Sequence, residues 1–175
     1  MLWERMIRAA KLDATLYDEV EKDPNATSQA LLVVLIVSVL AGIGGLRGGV
    51  MGFVGGLIFA IIGWAVWSLV MFWVGKTFFK GTATYGELLR CVGFAFTPRA
   101  LGLLAFVPVV GGLIALIASI WALVAMIIAV REALDITTVN AVITAIIGAV
   151  IYFVVIAVLG TIFGLGAVGV GMMTP

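Results

Sequence analysis

Side chains able to perform acid–base or metal chemistry are scarce in this chain. It contains ten lysines or arginines, nine aspartates or glutamates, one cysteine and no histidine. Without histidine the commonest general acid–base group is missing, and Cys91 alone forms neither an intrachain disulfide nor a metal site built from several cysteines. The net charge of +1 offers no basic surface for nucleic acid. The side chains therefore predict a non-enzymatic protein with no cofactor, no metal and no nucleic-acid partner.

Arg99 is the most unusual charged residue, because it lies inside a long apolar stretch. If a helix begins near Tyr85, Arg99 lies about 21 Å along it, in the outer half of a hydrocarbon layer about 30 Å thick. No acid is available on that side. One hypothesis is that Arg99, with Arg47 from an outer loop, binds a lipid phosphate or another anionic headgroup. The alternative is that its side chain extends to the membrane–water interface.

A second group of charges is predicted to meet on the cytoplasmic side. Glu87 and Arg90 lie three residues apart at the start of one predicted span, and Arg131 and Asp135 follow the end of the next. Because a hairpin joins these spans, pairs such as Glu87–Arg131 or Arg90–Asp135 are sterically reasonable. Such pairs predict either a structural clamp, worth about 0–1 kcal/mol for an exposed pair, or a docking surface for a cytoplasmic partner.

Glycines recur at helical spacing in the second predicted span. Gly48, Gly52 and Gly56 form a GxxxGxxxG pattern, and Gly63 continues the same face. Small residues at this spacing allow two helices to approach closely in lipid. The pattern predicts helix packing, either against another helix of the same chain or as the seam of a homodimer.

The elements that position these residues must be membrane helices. Apolar residues make up 64% of the 175 residues and charged residues only 11%, against roughly 45–50% and 25% in soluble domains. So few charges cannot cover the surface of a small soluble domain. In lipid the backbone must satisfy its own hydrogen bonds, so apolar segments of this length are helices.

Charge-free gaps define five predicted spans. They cover about residues 27–43, 49–73, 86–107, 111–130 and 140–160. Pro108, Gly111 and Gly112 separate the third span from the fourth, and a Thr84-x-x-Glu87 capping box marks the start of the third. After residue 160 the glycine-rich tail is expected to lose helical order or to form a re-entrant piece. The predicted fold is an all-α polytopic membrane bundle, with an N-terminal segment (1–26) before a five-span domain (27–175).

The distribution of lysine and arginine predicts the orientation. Eight of the ten lie on the side that carries the N-terminus, and only Arg47 and Arg99 lie on the other. The N-terminus is therefore predicted to be cytoplasmic and the C-terminus outside. All nine acids fall on the cytoplasmic side, so no span carries the buried carboxylate that is typical of proton or cation pathways.

The N-terminal segment, about residues 2–21, is predicted to form one amphipathic helix. Its apolar residues recur every three or four positions; they are Trp3, Met6, Ile7, Ala10, Ala14, Tyr17 and Val20. Its first half is basic and its second half acidic, and a turn at Asp23-Pro24-Asn25 leads into the first span. The helix is expected either to lie on the bilayer surface or to dock on the basic second loop.

Several short motifs resemble the prokaryotic branch of the Yip domain family. They are Asp23 to Ala30, Thr84 to Arg90, Pro98, Pro108 to Gly112, Trp121 and Ala129 to Arg131. The resemblance implies a five-span helical membrane domain with a cytoplasmic N-terminus. Eukaryotic members resemble trafficking factors that associate with Rab-type GTPases, but here Leu16-Tyr17 is not followed by their Gly-Pro and their long N-terminal domain is absent. The short form suggests a multi-pass protein of a bacterial or archaeal inner membrane.

The sequence thus favours a non-enzymatic membrane scaffold that organises lipid or a cytoplasmic partner, with membrane lipids and a second copy as further expected partners. The alternative is a small transporter or channel, or a subunit of one, for an apolar or anionic substrate. A transporter should contain a polar-lined cavity at mid-depth, near Ser68, Thr97, Arg99, Ser119 or Thr144. A scaffold should have a dry interior packed on glycine.

Overall fold

The computed structural model describes residues 1–44, 49–107 and 109–171, which form helices and connecting turns with no strand among them. Seven α-helices occur in these ranges: α1 (Leu2–Ala10), α2 (Ala14–Lys22), α3 (Ala26–Gly44), α4 (Gly49–Phe79), α5 (Tyr85–Ala95), α6 (Gly111–Leu134) and α7 (Thr138–Gly171). A 3₁₀ segment at Thr97–Phe106 follows α5. Arg47, Gly48 and Pro108 lie outside the described residues.

Within the described residues, three helices are long and apolar enough to cross a bilayer: Phe53–Phe79 in α4, Gly111–Leu134 (α6) and Thr138–Val158 in α7. A shorter apolar helix, Ala26–Gly42, lies in α3. Their outward faces carry large apolar side chains such as Phe59, Ile120 and Phe153. An apolar exterior suits hydrocarbon and not water. The architecture is therefore a helical membrane bundle, and the count of five spans stays a prediction.

Helix α5 lies at the centre of the bundle, in contact with α2, α3, α4 and α6. Seven of its eleven residues are buried. The predicted capping box begins the helix: the Thr84 backbone N–H donates to Glu87 Oε2 at 2.8 Å, and the Glu87 backbone N–H donates to Thr84 Oγ1 at 3.3 Å. This part of the sequence prediction is confirmed.

The continuous third helix predicted over residues 86–107 is wrong. Helix α5 ends at Ala95, and the chain continues as the 3₁₀ segment, with Pro98 in its first turn. Proline has no N–H to donate, and its ring disfavours the α conformation of the residue before it. The chain therefore changes to the tighter 3₁₀ helix, which packs between α3 and α6.

The N-terminal segment is also not the single helix that was predicted. Leu12 adopts a left-handed conformation (φ 61°), and Asp13 starts a new helix by accepting a hydrogen bond from the Thr15 backbone N–H at 3.0 Å. An aspartate in this position favours a helix start over a helix interior. The segment folds into two helices, here called the N-terminal hairpin (residues 2–22).

The burial of the N-terminal hairpin follows the predicted apolar stripe only in part. Met6, Ala9, Leu16, Tyr17 and Val20 are buried. Trp3 and Ile7, by contrast, are 63% and 55% exposed. The break at Leu12 changes the register of α1 relative to α2, so the two halves of the stripe do not face the same side.

The glycine-rich tail remains helical, contrary to prediction. Helix α7 continues through Gly164 and Gly169 to Gly171. Each glycine costs about 1 kcal/mol relative to alanine in a helix. In lipid, however, a backbone N–H or C=O that leaves the helix has no water to hydrogen-bond, so the helical conformation is favoured despite the glycines.

The glycines of the predicted packing face differ in how closely another helix approaches them. A Cβ built on Gly63 would lie 3.0 Å from the hydroxyl oxygen of Tyr152 on α7, whereas one on Gly56 would meet nothing within 4 Å. The surroundings of Gly48 and Gly52 lie outside the described residues. A closer approach that was not predicted occurs at Gly93 of α5, where an added Cβ would lie 2.7 Å from the Cβ of Ala30 and 3.3 Å from its carbonyl oxygen.

We predict that Gly93→Ala lowers the free energy of unfolding by about 1–3 kcal/mol, because α3 and α5 would have to separate. The control is Gly55→Ala, a helical position where an added Cβ meets nothing within 4 Å and alanine gains up to about 1 kcal/mol. Thermal unfolding in detergent should show a lower melting temperature for the first variant only. Equal melting temperatures would contradict the close contact.

Candidate functional site

Arg90 joins the N-terminal hairpin to the membrane bundle. Its side chain is buried, and its Nε donates to the Val20 carbonyl oxygen at 2.9 Å. A second guanidinium nitrogen donates to the Glu21 carbonyl oxygen. These carbonyls belong to the last turn of α2, at the negative end of the helix dipole, where a helix has no N–H of its own to donate. The Val20 carbonyl also accepts the Asp23 backbone N–H at 3.3 Å. A third nitrogen lies 3.5 Å from Thr27 Oγ1 on α3.

The N-terminal hairpin is held closed by its own charges. Arg5 pairs with Glu19 at 2.8 Å and with Asp23 at 3.0 Å, and Arg8 pairs with Asp13 at 2.8 Å and with Glu19 at 2.6 Å. The Arg8 hydrogen bond, together with Thr15, lowers the pKa of Asp13 to about 2. Hydrogen bonds from Arg8 and Arg5 also lower the pKa of Glu19. Arg5 donates in addition to Gln29 on α3 at 3.1 Å, which ties the hairpin to the bundle.

This network was missed at the sequence level, although a signal for it exists. The first half of the segment is basic and the second half acidic. A chain that folds back between such halves brings opposite charges together. In one continuous helix the basic and acidic halves would lie too far apart to pair, so the prediction of a single helix excluded these ion pairs.

The predicted ion pairs Glu87–Arg131 and Arg90–Asp135 are wrong. Glu87 caps α5 instead, and Arg131 donates from Nε to its neighbour Glu132 at 2.8 Å. Asp135 ends α6 in a left-handed conformation and accepts a hydrogen bond from the Thr82 hydroxyl. Glu87 and Arg131 thus use partners that are close in sequence, whereas Asp135 uses Thr82 from the segment before α5.

The same residues do shape the electrostatics around Glu21, at the end of α2. Partial burial raises the pKa of Glu21 to about 7, and the negative charges of Asp135, Asp18 and Glu87 add to this effect. The predicted cytoplasmic residues therefore lie close enough to influence the N-terminal hairpin. Their role as a docking surface for a partner stays a prediction.

Arg99 lines a cavity of about 500 Å³ inside the bundle, here called the Arg99 cavity. Its walls come from α3, α4, α5, the 3₁₀ segment, α6 and α7, and they are mostly apolar and aromatic, including Phe59, Trp64 and Phe153. The Arg99 guanidinium carbon lies 4.8 Å from the centre of the Phe96 ring. Arg99 forms no ion pair with any described residue, although a charge at mid-helix costs at least about 2.5 kcal/mol.

Only two of the five polar residues proposed for a mid-depth cavity, Arg99 and Ser119, line it. The hydroxyls of Ser68 and Thr97 donate to the carbonyl oxygens of Trp64 and Phe94 at 2.8 and 2.7 Å. Thr144 is buried on α7, with no hydrogen-bond partner among the described residues. Ser38 and Tyr152 complete the polar lining.

An apolar exterior around several long helices defines this chain as an integral membrane protein. The family model of the Yip1 domain matches residues 14–168. The chain therefore belongs to the Yip1 domain family, as its motifs predicted. No curated protein and no solved structure is significantly similar to it.

We predict that Arg90→Met releases the N-terminal hairpin, because it removes the donors to the Val20 and Glu21 carbonyls. Hydrogen bonds to a charged group contribute about 1.5–3 kcal/mol, so the hairpin should become sensitive to a site-specific protease inserted near Lys11. The control, Arg131→Met, removes contacts to the adjacent Glu132 and to Thr138 on α7 but none to the hairpin, and it should remain resistant. Equal protection in both variants would show that Arg90 does not hold the hairpin.

We predict that the fold becomes less stable as the pH rises from about 5 to 8. The folded pKa of Glu21 lies near 7, above its ordinary value of 4.5, so the folded state binds more protons within this window and loses stability as they leave. Glu21→Gln should flatten the dependence of melting temperature on pH, while Glu4→Gln should leave it unchanged. An unaltered slope in Glu21→Gln would contradict this assignment.

Proposed function

We propose that this protein is a non-enzymatic membrane scaffold that presents the N-terminal hairpin as a fixed platform at the cytoplasmic face of a cell membrane, with the C-terminus on the other side. The Yip1 family is not known as enzymatic. The observation that carries the proposal is the attachment of α2 to α5 through Arg90. Fully buried Leu16, Tyr17 and Val20 reinforce that attachment.

The outer face of the platform is suited to a protein partner. Trp3 and Ile7 are exposed one turn apart on α1, and exposed aromatic side chains are enriched in the centres of protein interfaces. The platform is less suited to anionic lipid, because Arg5 and Arg8 are already paired with acids of the hairpin. The basic charge that attracts a protein to the inner leaflet is therefore largely neutralised.

A homo-oligomer is part of the proposal. Gly56 on α4 has open space where a Cβ would stand, and such a position allows a second helix to approach closely in lipid. Two chains joined along α4 would present two platforms on one side of the membrane.

The scaffold role is tested by photo-crosslinking in native membranes, with a photoreactive residue at Trp3 or Ile7. We expect a discrete protein adduct at these positions that is strongly reduced by Arg90→Met and retained in Arg131→Met. The same protein should be absent from crosslinks placed at exposed Glu4. Adducts to lipid alone, or adducts that Arg90→Met leaves unchanged, would contradict the proposal.

The Arg99 cavity favours a second candidate, a small transporter for an apolar or anionic substrate. Its mostly apolar walls and single cation would suit such a substrate better than a hydrated ion. Uptake of an anionic amphiphile into proteoliposomes, abolished by Arg99→Ala, would rank this function above the scaffold. Equal uptake by liposomes that contain the wild type, the Arg99→Ala variant or no protein would reject the transporter function.

A further inference from the structure

The Arg99 cavity opens sideways through the wall of the bundle. Two of its lining residues, Phe59 on α4 and Phe153 on α7, are largely exposed on the outer surface, whereas Val34, Trp64 and Ala122 are buried in the interior. The surface around Phe59 and Phe153 is apolar. In a membrane this opening therefore leads to lipid acyl chains and not to water.

Polar groups meet inside this apolar enclosure. Arg99 and Tyr152 both line it, and Gly63 leaves the room that the Tyr152 hydroxyl occupies, because a Cβ there would lie 3.0 Å from the oxygen. Tyr152 is fixed further by an edge contact with Trp67, with the ring centres 5.1 Å apart. A mostly apolar cavity of about 500 Å³ with a few convergent polar groups is typical of small-ligand sites, which span about 300–1,000 Å³.

No carboxylate side chain within the described residues pairs with Arg99. The nine carboxylate side chains of the chain lie between positions 4 and 23 and at positions 87, 132 and 135. Glu87 is engaged at the start of α5, Glu132 pairs with Arg131, and Asp135 bonds to Thr82. An anion from outside the chain is therefore the complementary partner for this guanidinium.

We propose that the Arg99 cavity binds an anionic membrane phospholipid, with the phosphate on the Arg99 guanidinium and the Tyr152 hydroxyl. Its acyl chain leaves between Phe59 and Phe153. The planar guanidinium offers paired donors that match phosphate oxygens, and the lateral opening admits a ligand that resides in the bilayer. The lining of this site includes no residue of the N-terminal hairpin, and the proposal does not depend on the scaffold role.

The site is tested in nanodiscs that contain equal amounts of phosphatidylcholine and phosphatidylglycerol. After extraction into mild detergent, native mass spectrometry measures the lipid retained on the full chain. We expect retained phosphatidylglycerol in excess of phosphatidylcholine on the wild type. Arg99→Gln should reduce the retained phosphatidylglycerol about tenfold or more, the scale of losing hydrogen bonds to a charged group. Tyr152→Phe should cause a smaller loss, and the control Arg131→Gln none.

A variant that fills the cavity without changing a charge keeps the test decisive if Arg99→Gln fails to fold. Ala60 lines the cavity, and Ala60→Leu should also reduce the retained phosphatidylglycerol. Equal retention of the two lipids by the wild type would overturn the proposal. So would full retention of phosphatidylglycerol by a folded Arg99→Gln or Ala60→Leu protein. Retention that decreases equally in Arg131→Gln would assign the binding to general surface charge and would overturn it as well.

Discussion

The hydrogen bonds of the buried Arg90 guanidinium hold the N-terminal hairpin on the end of the bundle. The guanidinium donates to two carbonyl groups at the end of α2 and reaches Thr27 at the start of α3, so that one side chain joins the N-terminal hairpin, the first apolar helix and the central helix α5. The terminal carbonyls of a helix have no partner within that helix. A buried donor that satisfies two of them replaces the water that the docked hairpin excludes. Removal of Arg90 would take the donor from the Glu21 carbonyl and leave the Val20 carbonyl with the Asp23 N–H alone, which costs more than the loss of an exposed ion pair.

The membrane imposes a second constraint, on where charge can lie. The large side chains on the outer faces of α4, α6 and α7 are apolar, and every carboxylate side chain lies in the N-terminal segment or beside the ends of α5 and α6. Arg99 is the exception. It lies exposed in an open cavity, with its guanidinium beside the Phe96 ring, and an intramembrane charge in such a cavity is typical of a functional site. The two arginines thus do different work: Arg90 is satisfied within the chain, whereas Arg99 is free of any described acidic partner.

Local signals in the sequence predicted much of the fold. A charge-free gap predicted α3, and the break at Pro108, Gly111 and Gly112 predicted the start of α6. The observed starts of both helices lie within one residue of the expected ones. The Thr84–Glu87 capping box is equally local, since both partners lie within one helical turn. The breaks were harder to predict. Pro98 does not by itself predict the end of α5, because an isolated proline can kink a membrane helix as well as end it. Asp13 lies within a run of apolar residues at helical spacing, and that pattern predicted one continuous helix.

The candidate sites depend on contacts between distant parts of the chain, and these could not be deduced from residue types. Arg90 donates to main-chain carbonyls, and because every residue has such a carbonyl, the residue types do not indicate which ones it binds. Glu87 and Asp135, the expected partners of the arginines, instead accept hydrogen bonds from the Thr84 backbone N–H and the Thr82 hydroxyl. The Arg99 cavity required the relative placement of six elements, although the arginine itself stood out because no acid lies near it in the sequence.

The central claim is that the N-terminal hairpin is a fixed part of the bundle and not a loose surface helix. Hydrogen–deuterium exchange of the wild-type protein in nanodiscs tests it most directly, through the amides of residues 17–21 in α2. We expect exchange as slow as that of residues 89–94 in α5, because α2 packs against α5 through the buried side chains of Tyr17 and Val20. Exchange of the α2 amides within seconds, at the rate of an isolated short helix, would show that the hairpin is not fixed to the bundle.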